Sequence, residues 1–300
     1  MRRRIIALLN AGSGTGHDDA LADNVRGLLG RGGADVEVRR IARGANVDQA
    51  IAEALAERPD VLVAGGGDGT VSAVAAALAG GDVVLGVLPL GTLNHFAKDL
   101  GIPLGLDDAA RTIVEGTATK VDVGEVNGRV FVNNSSIGLY PDIVRDRERQ
   151  QRRLGRGKWP ALAWASWTAL RRYAFLHLTL KIDGAARSLR TPFVFVGNNE
   201  YLMQGFSIGE RPGSLRDGRL SVYLVQRPGR LRLLVLALRA LVGRLRQARD
   251  FEALLVTDFV IDSRHRTLRV ATDGETSMMS TPLRYRIRPA CLRVAVPRDI

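Results

Sequence analysis

Residues 61–72 read VLVAGGGDGTVS: four apolar residues, three consecutive glycines, an aspartate and a fourth glycine. With "TVSAVAAALAG" following at 70–80, the pattern predicts a buried strand, a tight turn and the start of a helix. A turn of this kind presents bare backbone N–H groups at a helix N-terminus, where the peptide dipoles favour an anion.

Outward from that stretch the texture repeats. Strand-like runs "RIIALLN" (4–10), "ADVEVRRI" (34–41) and "DVVLGVLPL" (82–90) alternate with helical patterns near 18–30, 46–57, 70–79 and 93–99. Such βαβα alternation predicts a Rossmann-like, largely parallel sheet covered on both faces, whose ligands bind at the carboxyl ends of the strands. Three strands end in small or polar residues suited to that edge: "NAGSGTG" (10–16), "GGGDGT" (65–70) and "PLGTLN" (89–94). After about Thr119 the pattern changes to frequent alternating strands, among them "KVDVGEV", "RVFVNNSSIG", "TPFVFVGNN", "RLSVYLV" and "HRTLRVATD". Asn127-Gly128, Asp183-Gly184 and Asp217-Gly218 are hairpin signals between such strands. The expected organisation is an α/β domain over 1–122, with the C-terminal segment 289–300 as a candidate to rejoin it, and a β-rich antiparallel domain over 123–288.

Composition bounds the function. Three hundred residues, 46% of them hydrophobic, suffice for two globular domains, and the single Cys291 rules out an intrachain disulfide. "MRRRIIALLN" has too few apolar residues for a secretory core and reads as a first strand. No run reaches the ~20 apolar residues of a membrane span. The nearest, 231–246, is interrupted by Arg232, Arg239 and Arg246, which form one polar stripe on a Leu-rich helix. A cytoplasmic setting is expected. Lys and Arg outnumber Asp and Glu by 43 to 31, for a net charge of +12, which suits nucleic acid, an anionic bilayer or phosphate ligands.

Gly65, Gly66, Gly67 and Gly69 let the backbone approach a phosphate, and Thr70 can add a hydroxyl. Asp68 is the anomaly, because a carboxylate repels phosphate unless a cation or an acceptor hydroxyl stands between them. That combination fits a kinase-like site, with Mg²⁺ bridging phosphate oxygens and carboxylates. The alternative is a tight turn whose aspartate caps the following helix. Gly91, Thr92 and Asn94 form a second strand-to-helix turn, and Asn10, Ser13 and Gly14 a third, so three turns converge on one cleft.

"GGGDGTVSAV" (65–74), "LPLGTLNHFAKDLGIP" (88–103) and the distant "TDGET" (272–276) resemble the motif set of the diacylglycerol kinase catalytic-domain family, in order and spacing, over essentially the whole chain. "LPLGTLN" and the late "DGE" separate these lipid kinases from NAD kinases and phosphofructokinases, which share GGDGT-like turns. The resemblance implies that Gly66, Gly67, Asp68, Gly69, Thr70, Val71 and Ser72, with Thr92 and Asn94, hold the ATP phosphates, and that Asn10, Ser13 and Gly14 lie close to the nucleotide. It implies Glu275 as the base that takes the acceptor hydroxyl's proton, with Asp273 beside it as the competing candidate; the metal ion expected beside Asp68 rests on the carboxylate's place among phosphate-facing amides. It also implies a structural Mg²⁺ in the second domain, bound largely by backbone oxygens around Ser214, Asp217 and Arg219. Without the other motifs, "TDGE" reads as an ordinary turn ending a strand. The chain departs from the family at Ala11, Ser72 and His95, where proline, asparagine and aspartate are usual.

The expected activity is therefore ATP- and Mg²⁺-dependent phosphorylation of the hydroxyl of diacylglycerol or a related lipid. A NAD kinase-like enzyme is the rival, and a nucleic-acid-binding protein a weaker one, since aromatic residues for base stacking make up only 5%. The run 145–158 carries seven basic residues against Asp146 and Glu148 and leads into Trp159, Trp164 and Trp167. It suits peripheral contact with an anionic membrane, or equally a solvated loop before a packed helix. The partners expected are a lipid acceptor and that membrane surface, with no specific nucleic acid and room for a homodimer.

Overall fold

A computed structural model of the chain describes residues 2–10, 19–42, 44–138, 175–199, 201–204, 207–210, 214–225 and 251–298. Ser13 and Gly14, the basic and tryptophan-rich run 145–167 and the segment 231–246 lie outside the described residues.

The chain opens with β1 (Arg4–Asn10), α1 (Asp19–Gly30), β2 (Asp35–Ile41), α2 (Val47–Ala56), β3 (Val61–Gly66), α3 (Asp68–Leu78) and β4 (Val84–Pro89). The four strands are parallel in the order β2-β1-β3-β4, and both β3 and β4 are buried along their whole length. Continuous apolar runs are what a sheet covered on both faces requires. Two short helices follow, α4 (His95–Asp99) and α5 (Leu106–Glu115). The second is absent from the sequence reading above. Its signals are Asp107 and Asp108 in the first turn and a buried stripe of Ala109, Ala110, Thr112 and Ile113.

The rest is strand: β5 (Thr117–Val126), β6 (Arg129–Phe131), β7 (Asn134–Gly138), β8 (Leu176–Ile182), β9 (Ala185–Thr191), β10 (Phe193–Gly197), β11 (Tyr201–Gln204), β12 (Ser207–Glu210), a 3-10 turn at Ser214–Arg216, β13 (Leu220–Val225), β14 (Phe251–Val256), β15 (Asp258–Ser263), β16 (Thr267–Thr272), β17 (Glu275–Ser280) and β18 (Leu283–Val296). One sheet is antiparallel throughout, in the order β14-β13-β10-β7-β16-β17. The other extends the parallel sheet through β18 to β15, β8 and β9, with β5 and β6 paired alongside β18. Leu178, Leu180 and Ile261 of this sheet face Ile137, Val196, Val222 and Val270 of the first across a second core. At its centre Tyr285 stacks on Phe259 with ring centroids 4.8 Å apart, and Phe131 meets it edge-on at 6.4 Å.

Asn127-Gly128 and Asp183-Gly184 turn hairpins, with positive φ at both residues, as such two-residue connections require. Asp217-Gly218 does not; it links the 3-10 turn to β13. Asp273-Gly274 joins β16 to β17 as a hairpin with φ of 48° and 87°.

Two long strands tie the halves together. Val121 and Val123 of β5 and Leu292 and Val294 of β18 belong to the α/β core, whereas Val126, Tyr285 and Ile287 belong to the second. The crossing point is a bulge in β18 between Arg288 and Leu292. Buried Asp122 of β5 braces it: Oδ1 accepts the Ala290 N–H at 2.8 Å, and Oδ2 the Gly218 N–H at 2.7 Å. One carboxylate thus holds both the bulge and the turn before β13.

Candidate functional site

The turns after β3 and β4 pack backbone against backbone. A Cβ on Gly91 would stand 2.4 Å from the Gly67 Cα, and one on Gly65 would stand 2.3 Å from the Leu9 Cδ2, so neither position admits a side chain without movement. Gly67 ends the turn in extended conformation as the N-cap of α3 and makes no side-chain cap bond. With no side chain capping it, the helix N-terminus keeps a positive end that favours an anion. Asn10, at the carboxyl end of β1, donates its amide to the Thr70 hydroxyl at 2.9 Å, which joins the first strand end to the same helix turn.

Asp68 does something the sequence reading did not assign to it. It neither caps α3 nor lines the cleft; instead it caps α4 from the neighbouring turn through the N–H groups of Asn94 and His95. This gives the carboxylate inside the glycine turn a structural partner in the segment after β4. Asn94 is likewise spent internally. In left-handed conformation and 8% exposed, it accepts from the Gly91 N–H and donates to the carbonyls of Pro89 and Gly91. Thr92 is exposed and lies off the cleft wall, Val71 is buried in the α/β core, and Gly66 pairs with Pro89 inside the sheet.

The α3 N-terminus faces a cleft of about 960 Å³. Gly67, Gly69, Thr70 and Ser72 line one wall, and Arg129, Thr272, Asp273 and Glu275 contribute another from the β-rich half. The two carboxylates of "TDGE" are sent to different environments by the hairpin. Asp273 turns inward: Oδ2 accepts the Val132 N–H at 2.9 Å, and Oδ1 accepts those of Asn133 and Asn134 at 2.8 and 3.0 Å. Burial pushes its carboxyl above the ordinary carboxylate range, while these three N–H groups and the nearby Ser72 hydroxyl pull it the other way. Glu275 remains accessible, its side chain 68% exposed, and pairs with Arg129 at 2.7 Å. Asp273 thus braces the 132–134 backbone, while Glu275 stands accessible in the cleft.

Arg129 escaped the sequence reading. Its signal was the Asn127-Gly128 turn, which fixes the residue that follows at the start of β6, paired with Val126. A second cleft of about 860 Å³ adjoins at Gly128, but its inner carboxylate, Glu125, is already bound by Arg286 and Arg288.

Around the expected structural metal position, Ser214 opens the 3-10 turn and Asp217 and Arg219 are exposed. Mg²⁺ takes about six oxygens in near-octahedral array. Among the described residues no group of three or more His, Cys, Asp or Glu gathers for a metal ion. Asp217 is the only carboxylate of the trio, and nearby Asp122 is engaged by two N–H groups. An ion at this position would therefore have to be held largely by backbone oxygens.

Comparison with known proteins agrees with this architecture. Residues 4–126 match the diacylglycerol kinase catalytic domain, and residues 142–296 match the YegS C-terminal NAD kinase beta sandwich-like domain. A "Probable lipid kinase YegS-like" of Pseudomonas aeruginosa PAO1 is 31% identical over 279 residues, covering 88% of this chain and 86% of that one. Its counterpart in Pseudomonas fluorescens Pf-5 is 30% identical over 285 residues, covering 89% and 87%. A crystal structure of a diacylglycerol kinase from Bacillus anthracis str. Sterne shares the fold, with a TM-score of 0.73 and 22% identity over 99% of this chain and 98% of that one.

Proposed function

Because this chain belongs to the lipid kinase family built on the diacylglycerol kinase catalytic domain, a family of phosphotransferases, we propose that it moves the γ-phosphate of ATP to the hydroxyl of diacylglycerol or a related lipid. The observation that carries this reading is the facing of the bare α3 N-terminus and the accessible Glu275 across one cleft. Phosphoryl transfer asks a protein mainly for positioning and charge neutralisation. The Gly67, Gly69 and Thr70 turn suits the phosphates, since its backbone can approach closely and its N–H groups supply positive potential. Glu275 takes the proton from the acceptor oxygen, because an alcohol is a poor nucleophile near neutral pH and a carboxylate in reach is the ordinary base. Asp273 keeps the 132–134 backbone and the hairpin in place. Mg²⁺ belongs to the proposal as the ion that accompanies ATP and neutralises phosphate charge.

The nucleotide domain is taken as 1–122 with 289–300, and the acceptor domain as 123–288. The basic run 145–158 and the tryptophans at 159–167 suit docking of a cytoplasmic enzyme on an anionic bilayer, and a homodimer is the assembly to test by sedimentation.

The test is incubation of the purified protein with γ-labelled ATP, Mg²⁺ and a total lipid extract, followed by identification of the labelled product, with NAD as a parallel acceptor. A labelled phospholipid is the expected result. Label on NAD alone would make the protein a NAD kinase-like enzyme instead. Exchanging Arg147, Arg149, Arg152 and Arg153 for Gln should lower activity on anionic vesicles more than on detergent-dispersed lipid. Equal losses in both formats would count against membrane docking.

A further inference from the structure

Building on the kinase reading above, we propose that Arg129 both positions Glu275 and serves as the cation that meets the transferred phosphoryl group. Among the described residues lining the cleft, Arg129 is the one cationic side chain, set against Asp48, Asp273 and Glu275. A cleft lined by Asp48 and Glu275 favours a cationic side chain where a polyanion is to sit, and the guanidinium fork matches phosphate oxygens as well as it matches a carboxylate. The ion pair is made where water reaches it, with side chains 38% and 68% exposed. Such a pair costs little to open.

The turn that leads into Arg129 is tied down by its own asparagine. Asn127 donates its side-chain amide to the Ser280 carbonyl at 2.9 Å, and its carbonyl oxygen accepts the Arg284 N–H at 2.8 Å. It thereby fastens the turn that launches Arg129 to the far end of the strand that begins with Glu275. Arg129 and Glu275, paired with each other, line the cleft together with the glycine turn.

The chemistry then couples them. The acceptor oxygen forms a bond to the γ-phosphorus as its proton passes to Glu275. The bond from that phosphorus to the oxygen bridging the β-phosphate breaks, and ADP leaves with that electron pair. Once protonated, Glu275 is neutral and no longer attracts the guanidinium, which turns to the phosphoryl oxygens. Positive charge is delivered when the proton is taken up.

The experiment measures steady-state kinetics of the full chain on diacylglycerol micelles with ATP, for the wild type, Arg129→Gln, Arg129→Lys, Glu275→Gln and the Arg129→Gln/Glu275→Gln pair, with melting curves of each. Arg129→Gln should lower kcat by roughly 10²–10³-fold, the usual loss for one charge-stabilising donor, with KM for ATP and lipid nearly unchanged. Arg129→Lys, which keeps the charge but loses the fork, should recover part of that loss. Arg129→Gln should cost much less in the Glu275→Gln background than alone, because the two act as a unit. Wild-type kcat in Arg129→Gln, a change confined to KM or Tm, or independent effects in the double variant would each overturn the assignment while the kinase reading stands. A wild type that phosphorylates no lipid would overturn both.

Discussion

The carboxylate of Asp68 and the backbone of His95 are joined across 27 residues: Oδ1 accepts the His95 N–H at 2.8 Å, while Oδ2 accepts that of Asn94 at 3.1 Å. The helix it caps is only five residues long, and its own N-cap, Asn94, makes no side-chain cap bond. Asp68 therefore locks the turn after β3 to the segment after β4. The aspartate usual in the family at position 95 is not required for this link, because the backbone of His95 supplies the donor.

Removing that lock should damage the fold and the activity together. Asp68→Ala leaves two N–H groups at a helix start without their acceptor, a loss of about 1–3 kcal/mol. Asp68→Asn, which keeps one acceptor oxygen, should fall between. Chemical denaturation checks this: unchanged stability with a shifted Mg²⁺ requirement would return Asp68 to a metal-binding role.

Two glycines of the same region should respond in opposite ways. A Cβ at Gly69 meets nothing within 4 Å, so Gly69→Ala should preserve or raise stability, by up to about 1 kcal/mol for alanine over glycine in a helix. It should nonetheless weaken ATP binding by crowding the phosphate. Gly91→Ala, whose Cβ would strike the Gly67 backbone at 2.4 Å, should lower both. Calorimetric titration with ATP, paired with thermal melts, separates the two effects. Unaltered ATP affinity in Gly69→Ala would place the phosphates elsewhere.

Glu275→Gln should reduce kcat by roughly 10²–10⁴-fold with little change in ATP affinity, the ordinary share of general-base catalysis. Its melting temperature should stay near wild type, since the side chain is 68% exposed. Survival of kcat with collapsed ATP affinity would assign Glu275 to the nucleotide instead.

Asp273 should report on pH rather than on turnover alone. Its folded-state value is raised above the ordinary 3.8, with desolvation as the largest cause. The folded protein therefore holds a proton that the unfolded chain releases in that window. The stability this contributes is fully present below the ordinary value and is lost as pH rises through the raised one. Unfolding free energy measured upward from pH 4 should fall more steeply in the wild type than in Asp273→Asn, which does not titrate. Parallel profiles would show that the three N–H bonds cancel the burial. Asp273→Ala should also cost about 1–3 kcal/mol, because the N–H groups of Val132, Asn133 and Asn134 lose their acceptor.

The sequence by itself determined the α/β half and the family. Apolar runs such as "VLVAGG" and "VLGVLP" must be buried on both faces, and glycine is the residue that lets two turns meet backbone to backbone. Those are local requirements, legible one segment at a time. Amphipathic α5 carried signals of the same local kind, an acidic first turn and an apolar stripe, yet went unread. Whether Asp68 faces a ligand or a neighbouring backbone depends on where Asn94 and His95 arrive, 26 and 27 residues later. The division of labour between Asp273 and Glu275 depends on the N–H groups of 132–134, brought there by a strand some 140 residues away. Arg129 meets Glu275 only because the fold brings the start of β6 against the start of β17, 146 residues away. Carboxylates and guanidinium groups take their roles from what surrounds them, since burial, N–H donors and opposite charges set their protonation and direction. Those surroundings came from distant segments that only the tertiary fold brings together.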